Sequence, residues 1–180
     1  MSTQQRPFTP IQYIPAKEKD SILNLPISTL SAVAHEPLPK GGNHWSIYLS
    51  TSDTDYIRLD MTPSYTVPAT VNPGGSKGTL IVSRVDDLRL DTATKVVPLD
   101  VRGGLKVIDF VDLLVKEKRY LYEFNDAGQG CRFWVHHQIG LFWDEGLIVD
   151  SGQVEEARRA ILVMYPEMVE YGLVVGEYYS

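Results

Sequence analysis

The chain has a single cysteine, Cys131, and only four histidines in 180 residues. One thiol excludes an internal disulfide. No H-x-x-x-H or C-x-x-C spacing occurs, so a metal site lacks its ligand set. His136 and His137 adjoin, and on a helix they would point about 100° apart. Basic residues are the minority, Lys+Arg 17 against Asp+Glu 23, for a net charge of −6. That balance disfavours a phosphate backbone and excludes nucleic acid as a partner. No apolar run approaches the ~20 residues of a membrane span. The opening MSTQQRPFTP has no apolar signal core, so a cytoplasmic protein is expected. The glycine pair Gly103-Gly104 lacks the longer phosphate-loop pattern, and no cofactor is expected.

What is present is an ordinary globular composition, 43% hydrophobic and 22% charged. Residues 1–26 carry Pro7, Pro10, Pro15 and Pro26 among polar neighbours. They read as a Pro-rich N-terminal arm with little regular structure, laid on the domain by Phe8, Tyr13 and Ile14. Residues 27–180 read as a single α+β domain. Strands are predicted over 27–35, 43–49, 56–61, 78–83 and 94–99, the last demoted toward an edge by Pro98. The Pro- and Gly-rich stretch 62–77 reads as a loop. Helices are predicted over 105–120, 131–143 and 151–165, with Ser151 as N-cap. A last strand falls within 173–179. The expected architecture is an antiparallel sheet with about three helices packed on one face.

Alternation defines a candidate site. In 43–49, His44, Ser46 and Tyr48 share one face, while Trp45, Ile47 and Leu49 share the other. In 56–61, Tyr56, Arg58 and Asp60 oppose Ile57, Leu59 and Met61. Matching the apolar faces brings the polar faces together. A turn centred near Ser52 puts Asp60 across from His44, where a carboxylate orients an imidazole.

Cys131 follows Gly128 and Gly130 and opens a helix. Unpaired N–H groups and partial positive charge at a helix start favour a thiolate and can hold an oxyanion. Asn125, Gln129 and the loop at Gly130 are candidate donors. Cys131 as nucleophile, His44 as base and Asp60 as orienter form one hypothesis. Trp134, three residues on and on nearly the same helix face, joins Trp45, Ser46, Tyr48, Tyr56 and Arg58 as candidate substrate contacts.

The pairing of HWSIYL with a later GCRFWV resembles the circularly permuted papain-like thiol enzymes, including the lecithin retinol acyltransferase-like group. The resemblance implies a permuted papain-like arrangement with Cys131, His44 and Asp60 as catalytic residues. The segments AHE, NHW-IYL, RLDM and GCRFWV also resemble a family of small, uncharacterised fungal proteins, which suggests specialised metabolism. The leading expectation is a thiol-dependent hydrolase or acyl or amide transferase acting on a small molecule or peptide-like substrate. The alternatives are a non-covalent pocket protein, cyclase or isomerase using the His44/Arg58/Asp60 face without a nucleophile, and a plain interaction domain.

Overall fold

The computed structural model describes residues 6–86 and 91–180. Ten strands and four α-helices are found in that range: β1 (Ile11–Ile14), α1 (Lys19–Leu23), β2 (Thr29–Pro37), β3 (Asn43–Ser50), β4 (Asp55–Pro68), β5 (Ser76–Asp86), β6 (Lys95–Asp100), α2 (Val107–Lys116), β7 (Tyr122–Phe124), α3 (Cys131–Asp144), α4 (Ser151–Ile161), β8 (Val163–Met164), β9 (Val169–Glu170) and β10 (Glu177–Tyr178). The fold is α+β. Eight strands form one sheet in the order β10-β7-β5-β4-β3-β2-β6, with β1 on the β5 edge. Every pairing is antiparallel except β1 with β5.

Alternate residues of the central strands build one core face. Leu30, Ala32 and Ala34 of β2, Trp45, Ile47 and Leu49 of β3, and Ile57, Leu59 and Met61 of β4 are all buried there. The helices cover this face. Val107, Phe110, Val111 and Leu114 recur at helical spacing and turn α2 inward. Phe110 meets Phe142 of α3 edge-on, with centroids 5.0 Å apart. Burial of this face is the main stabilising term. Among the described residues, no helix is long and apolar enough to cross a membrane.

Several boundaries differ from the sequence expectation. The N-terminal arm is not structure-poor. Its prolines flank its elements, Pro10 before β1 and Pro15 after it, while β5 supplies the backbone partners through Ile11–Leu80 to Ile14–Ser83. Ile22 of α1 is fully buried, so the arm belongs to the core at that point. Residues 1–5 lie outside the described residues. The stretch 62–77 is a loop only after Pro68, because β4 runs on beside β5. The last helix ends at Ile161, four residues before Tyr165. Only Glu177 and Tyr178 of the expected last strand pair, against β7, which the sequence pattern did not reveal.

The N-cap of α4 is Asp150 and not Ser151. The Asp150 carboxylate accepts a hydrogen bond from the Gln153 backbone N–H at 3.0 Å. Asp150→Ala is expected to lower stability by about 1 kcal/mol. Thermal denaturation would read this as a drop of roughly 2–4 °C.

Candidate functional site

The site forms where the start of β3 meets the start of α3. The β3–β4 ladder pairs Ile47 with Leu59, Tyr48 with Arg58, Leu49 with Ile57 and Ser50 with Tyr56. That register centres the turn on Asp53, one residue beyond the expected Ser52. Asp60 therefore stands diagonal to His44 and not directly across. Its side chain bridges the offset, and Oδ1 lies 2.6 Å from His44 Nε2. The other oxygen, Oδ2, lies 3.1 Å from Arg58 Nη2. Arg58 Nε donates to Ser46 Oγ at 3.1 Å. Three of these side chains thus form one chain of charge-assisted contacts, His44–Asp60–Arg58.

The network continues into β2. His35 Nε2 lies 3.3 Å from Ser46 Oγ and 3.1 Å from the Tyr48 hydroxyl. The His35 and His44 rings stack with centroids 6.3 Å apart. His35 ends the strand predicted over 27–35 and is not among the expected site residues. The signal was there in the alternation Ser31-Val33-His35, which shares the face of Ser46 and Tyr48.

Cys131 approaches from the other side. Gly130 is the N-cap of α3 with φ 149, a conformation that favours glycine. A Cβ there would lie 3.1 Å from the Tyr122 hydroxyl, which donates to the Gly130 carbonyl at 2.8 Å. Tyr122 thereby fixes the turn that presents Cys131. The thiol donates to the Asn43 carbonyl oxygen at 4.0 Å, and Cys131 is near enough to the His44 ring to help raise it.

Burial alone would push the His44 ring down. The hydrogen bond to Asp60 and its negative charge, helped by the neighbouring Cys131 sulfur, override burial and raise it to about 10. Burial would likewise raise Asp60, but His44, Arg58 and His35 together hold its carboxyl below the usual carboxylate range. At neutral pH the centre is an imidazolium between a carboxylate and a sulfur.

Cys131 itself is 4% exposed. A crevice of about 10 Å³ beside it, room for about one water, is lined by Leu38, Gly41, Gly130, Tyr171 and Val174. Tyr171 roofs it. The Tyr171 ring packs on Gly41, where a Cβ would meet its hydroxyl at 2.5 Å. That hydroxyl donates to the Lys40 carbonyl at 3.1 Å. Arg132, next to Cys131, holds this strap from beneath. It donates to the Ile161 carbonyl at the end of α4, to Gly172 O at 2.8 Å, and to Tyr171 O. The sequence reading missed Arg132, because nothing local marks an arginine whose partners are carbonyls 29 to 40 residues away.

Not every expected contact belongs to the site. Trp45 and Trp134 are fully buried in the core, and Trp134 Nε1 donates to the Arg119 carbonyl at 2.8 Å. Ser46 and Tyr48 are also fully buried and serve the network. Tyr56 is half-buried at the hairpin end, its hydroxyl 3.4 Å from the Asp53 carbonyl. Asn125 and Gln129 are spent on their own loop. Asn125 Oδ1 accepts from the Ala127 and Gln129 N–H groups, its Nδ2 donates to Gln129 Oε1, and Gln129 Nε2 donates to the Lys40 carbonyl. The donors left for an oxyanion are the first-turn N–H groups of α3.

A family model described as Domain of unknown function (DUF7770) matches residues 30–179. The chain belongs to this family. No curated protein and no solved structure matches it. The DUF7770 match contains His35, His44, Arg58, Asp60, Cys131 and Arg132. β1 and α1 precede it.

Proposed function

We propose that this DUF7770 chain is a thiol-dependent acyl-transfer enzyme, a hydrolase or transferase of an ester, amide or thioester in a small or peptide-like substrate. The observation that carries the reading is the 2.6 Å contact between Asp60 and His44 beside Cys131 at the N-terminus of α3. The order histidine strand, carboxylate strand, cysteine helix supports the reading, because it resembles that of the permuted papain-like enzymes. A cytosolic role in fungal specialised metabolism is the setting we assign to it.

The sulfur attacks the carbonyl carbon as a thiolate, its charge balanced by the His44 imidazolium. First-turn N–H groups of α3 hold the oxyanion. As the tetrahedral adduct collapses, the bond to the leaving group breaks and His44 gives it a proton. Neutral His44 then takes a proton from water or another acceptor, which attacks the acyl carbon and releases the sulfur. Asp60 fixes the ring throughout, and Arg58 fixes Asp60. His44 therefore enters the cycle as an acid and leaves it as a base.

The test is p-nitrophenyl acetate turnover, with mass spectrometry of the quenched protein. Acetyl is expected on Cys131, and His44→Ala is expected to slow turnover by roughly 10²–10⁴-fold. A thiol that neither acetylates nor reacts with iodoacetamide until the protein is unfolded would sink this reading.

One observation favours a second reading, non-covalent binding or isomerisation on the polar face. Cys131 is 4% exposed, whereas the His44 side chain is 20% exposed. On that reading Cys131→Ala keeps function while His44→Ala or Arg58→Ala loses it.

A further inference from the structure

A second polar site lies farther along α3, away from the thiol. Residues 118–119 leave the end of α2, His137 projects from α3, and Tyr178 and Tyr179 come from β10 and the residue after it. Together they line an open groove of about 430 Å³, within the size range of small-molecule sites.

Arg119 is held in this groove by neutral partners. Arg119 Nη1 lies 2.7 and 2.9 Å from the two ring nitrogens of His137. Its guanidinium also lies 5.4 Å from the Tyr178 ring centroid, while the Tyr178 hydroxyl lies 3.0 Å from His137 Nδ1 and accepts from Gln138 Nε2 at 2.8 Å. Among the described residues, no carboxylate pairs with Arg119 or Lys118. The nearby acids are otherwise engaged. Glu117, at the rim, lies 3.8 Å from Lys116 Nζ. Glu123 accepts from the Thr70, Val71 and Asn72 N–H groups and from the Thr70 hydroxyl. Burial first, then the charges of Arg119, His136 and Arg158, push His137 down to about 4. It stays neutral at pH 7, so Arg119 faces a neutral ring, with Lys118 beside it and Glu117 at the rim.

The walls define the rest of the ligand. The Tyr178 and Tyr179 rings and Val71 are apolar surface, and Lys77 Nζ sits 4.3 Å from the Tyr179 ring centroid. A planar guanidinium fork matches a planar carboxylate. Flanking rings match a flat apolar body.

We propose that this groove binds a small carboxylate carrying an apolar, aromatic-sized body, with Arg119 as the anchor for the carboxylate. The groove's lining shares no residue with the crevice beside Cys131. The position of Trp134 gives the anchor its rigidity, since its indole N–H holds the Arg119 carbonyl at 2.8 Å.

The experiment is an amide NMR titration of the full chain with benzoate, benzyl alcohol and inorganic phosphate in parallel. Benzoate is expected to give saturable shifts at residues 117–119, 137 and 178–180, with a Kd on the order of 1 mM. Benzyl alcohol is expected to bind at least about tenfold more weakly, because it lacks the charge. Arg119→Met is expected to weaken benzoate about tenfold or more. Arg119→Lys, which keeps the charge and loses the fork, is expected to fall between the two. The Lys variant carries the test if the Met variant does not fold. Absence of saturable shifts with benzoate overturns the proposal. So does equal affinity for benzyl alcohol, or benzoate affinity unchanged in the variants. Phosphate binding more tightly than benzoate overturns the ligand class.

Discussion

Asp60→Ala is expected to destabilise the chain by about 3–5 kcal/mol, the usual effect of deleting one member of a buried ion pair. The Asp60 side chain is 10% exposed and faces two cations, His44 at 2.6 Å and Arg58 at 3.1 Å. Its removal leaves both positive charges side by side without a counter-charge. The same carboxylate shapes the pH dependence. His44 is raised from 6.5 to about 10, so its contribution is full below pH 6.5, declines above it, and is gone once pH passes about 10. Asp60 is lowered from 3.8, so its contribution is present above that value and is lost as pH falls through its lowered one. The steps belong to the coupled group and not to one residue. Urea midpoints measured across pH should fall on both sides for the parent chain. In Asp60→Ala the alkaline slope should shrink, because the interaction that holds the proton on His44 is gone. An unchanged alkaline slope would mean that Asp60 does not hold that proton.

Arg132→Met is expected to cost roughly 3 kcal/mol, seen as a drop of about 6–12 °C in Tm. Methionine fills much of the volume but donates nothing. The carbonyls of Ile161, Tyr171 and Gly172 would lose the guanidinium that now satisfies them, and the end of α4 would lose its cation. A second effect separates this variant from a generic core defect. The strap at 171–174 roofs Cys131 and has no regular secondary structure. Local opening there should raise iodoacetamide labelling of Cys131 about tenfold under conditions far below Tm. Arg132→Lys should recover only part of either effect, because one ammonium cannot serve three carbonyls in different directions.

Patterns of period two and the positions of glycine made much of this legible from the residues alone. The alternation in 43–49 and 56–61 assigned the core face correctly at Trp45, Ile47, Leu49, Ile57, Leu59 and Met61. It also brought His44, Arg58 and Asp60 onto one face. The helix beginning at Cys131 was readable from Gly130. The register was less so, because Ser52 and Asp53 are equally good turn centres. The one-residue difference was absorbed by the reach of the Asp60 side chain.

What stayed hidden was non-local. β1 forms because β5 leaves an edge free, which no feature of IQYI announces. Trp134 looked like a pocket residue from its place one turn after the thiol. Its indole is instead claimed by a carbonyl 15 residues earlier. Asn125 and Gln129 looked like free amides, but a five-residue loop uses both to close itself.

The ends of the sheet have a consequence for behaviour in concentrated solution. A long bare strand edge is a template for pairing with other copies. Here one terminal strand, β10, is two residues long. The other, β6, carries Lys95 and Pro98, and Gln153 takes the Asp100 N–H at 2.7 Å. Proline removes one donor and lysine adds charge along the rim. The chain thus protects the β10 and β6 margins of its largest sheet against edge-to-edge aggregation, and Pro98 is the residue whose replacement by a β-branched one would most directly expose the β6 margin.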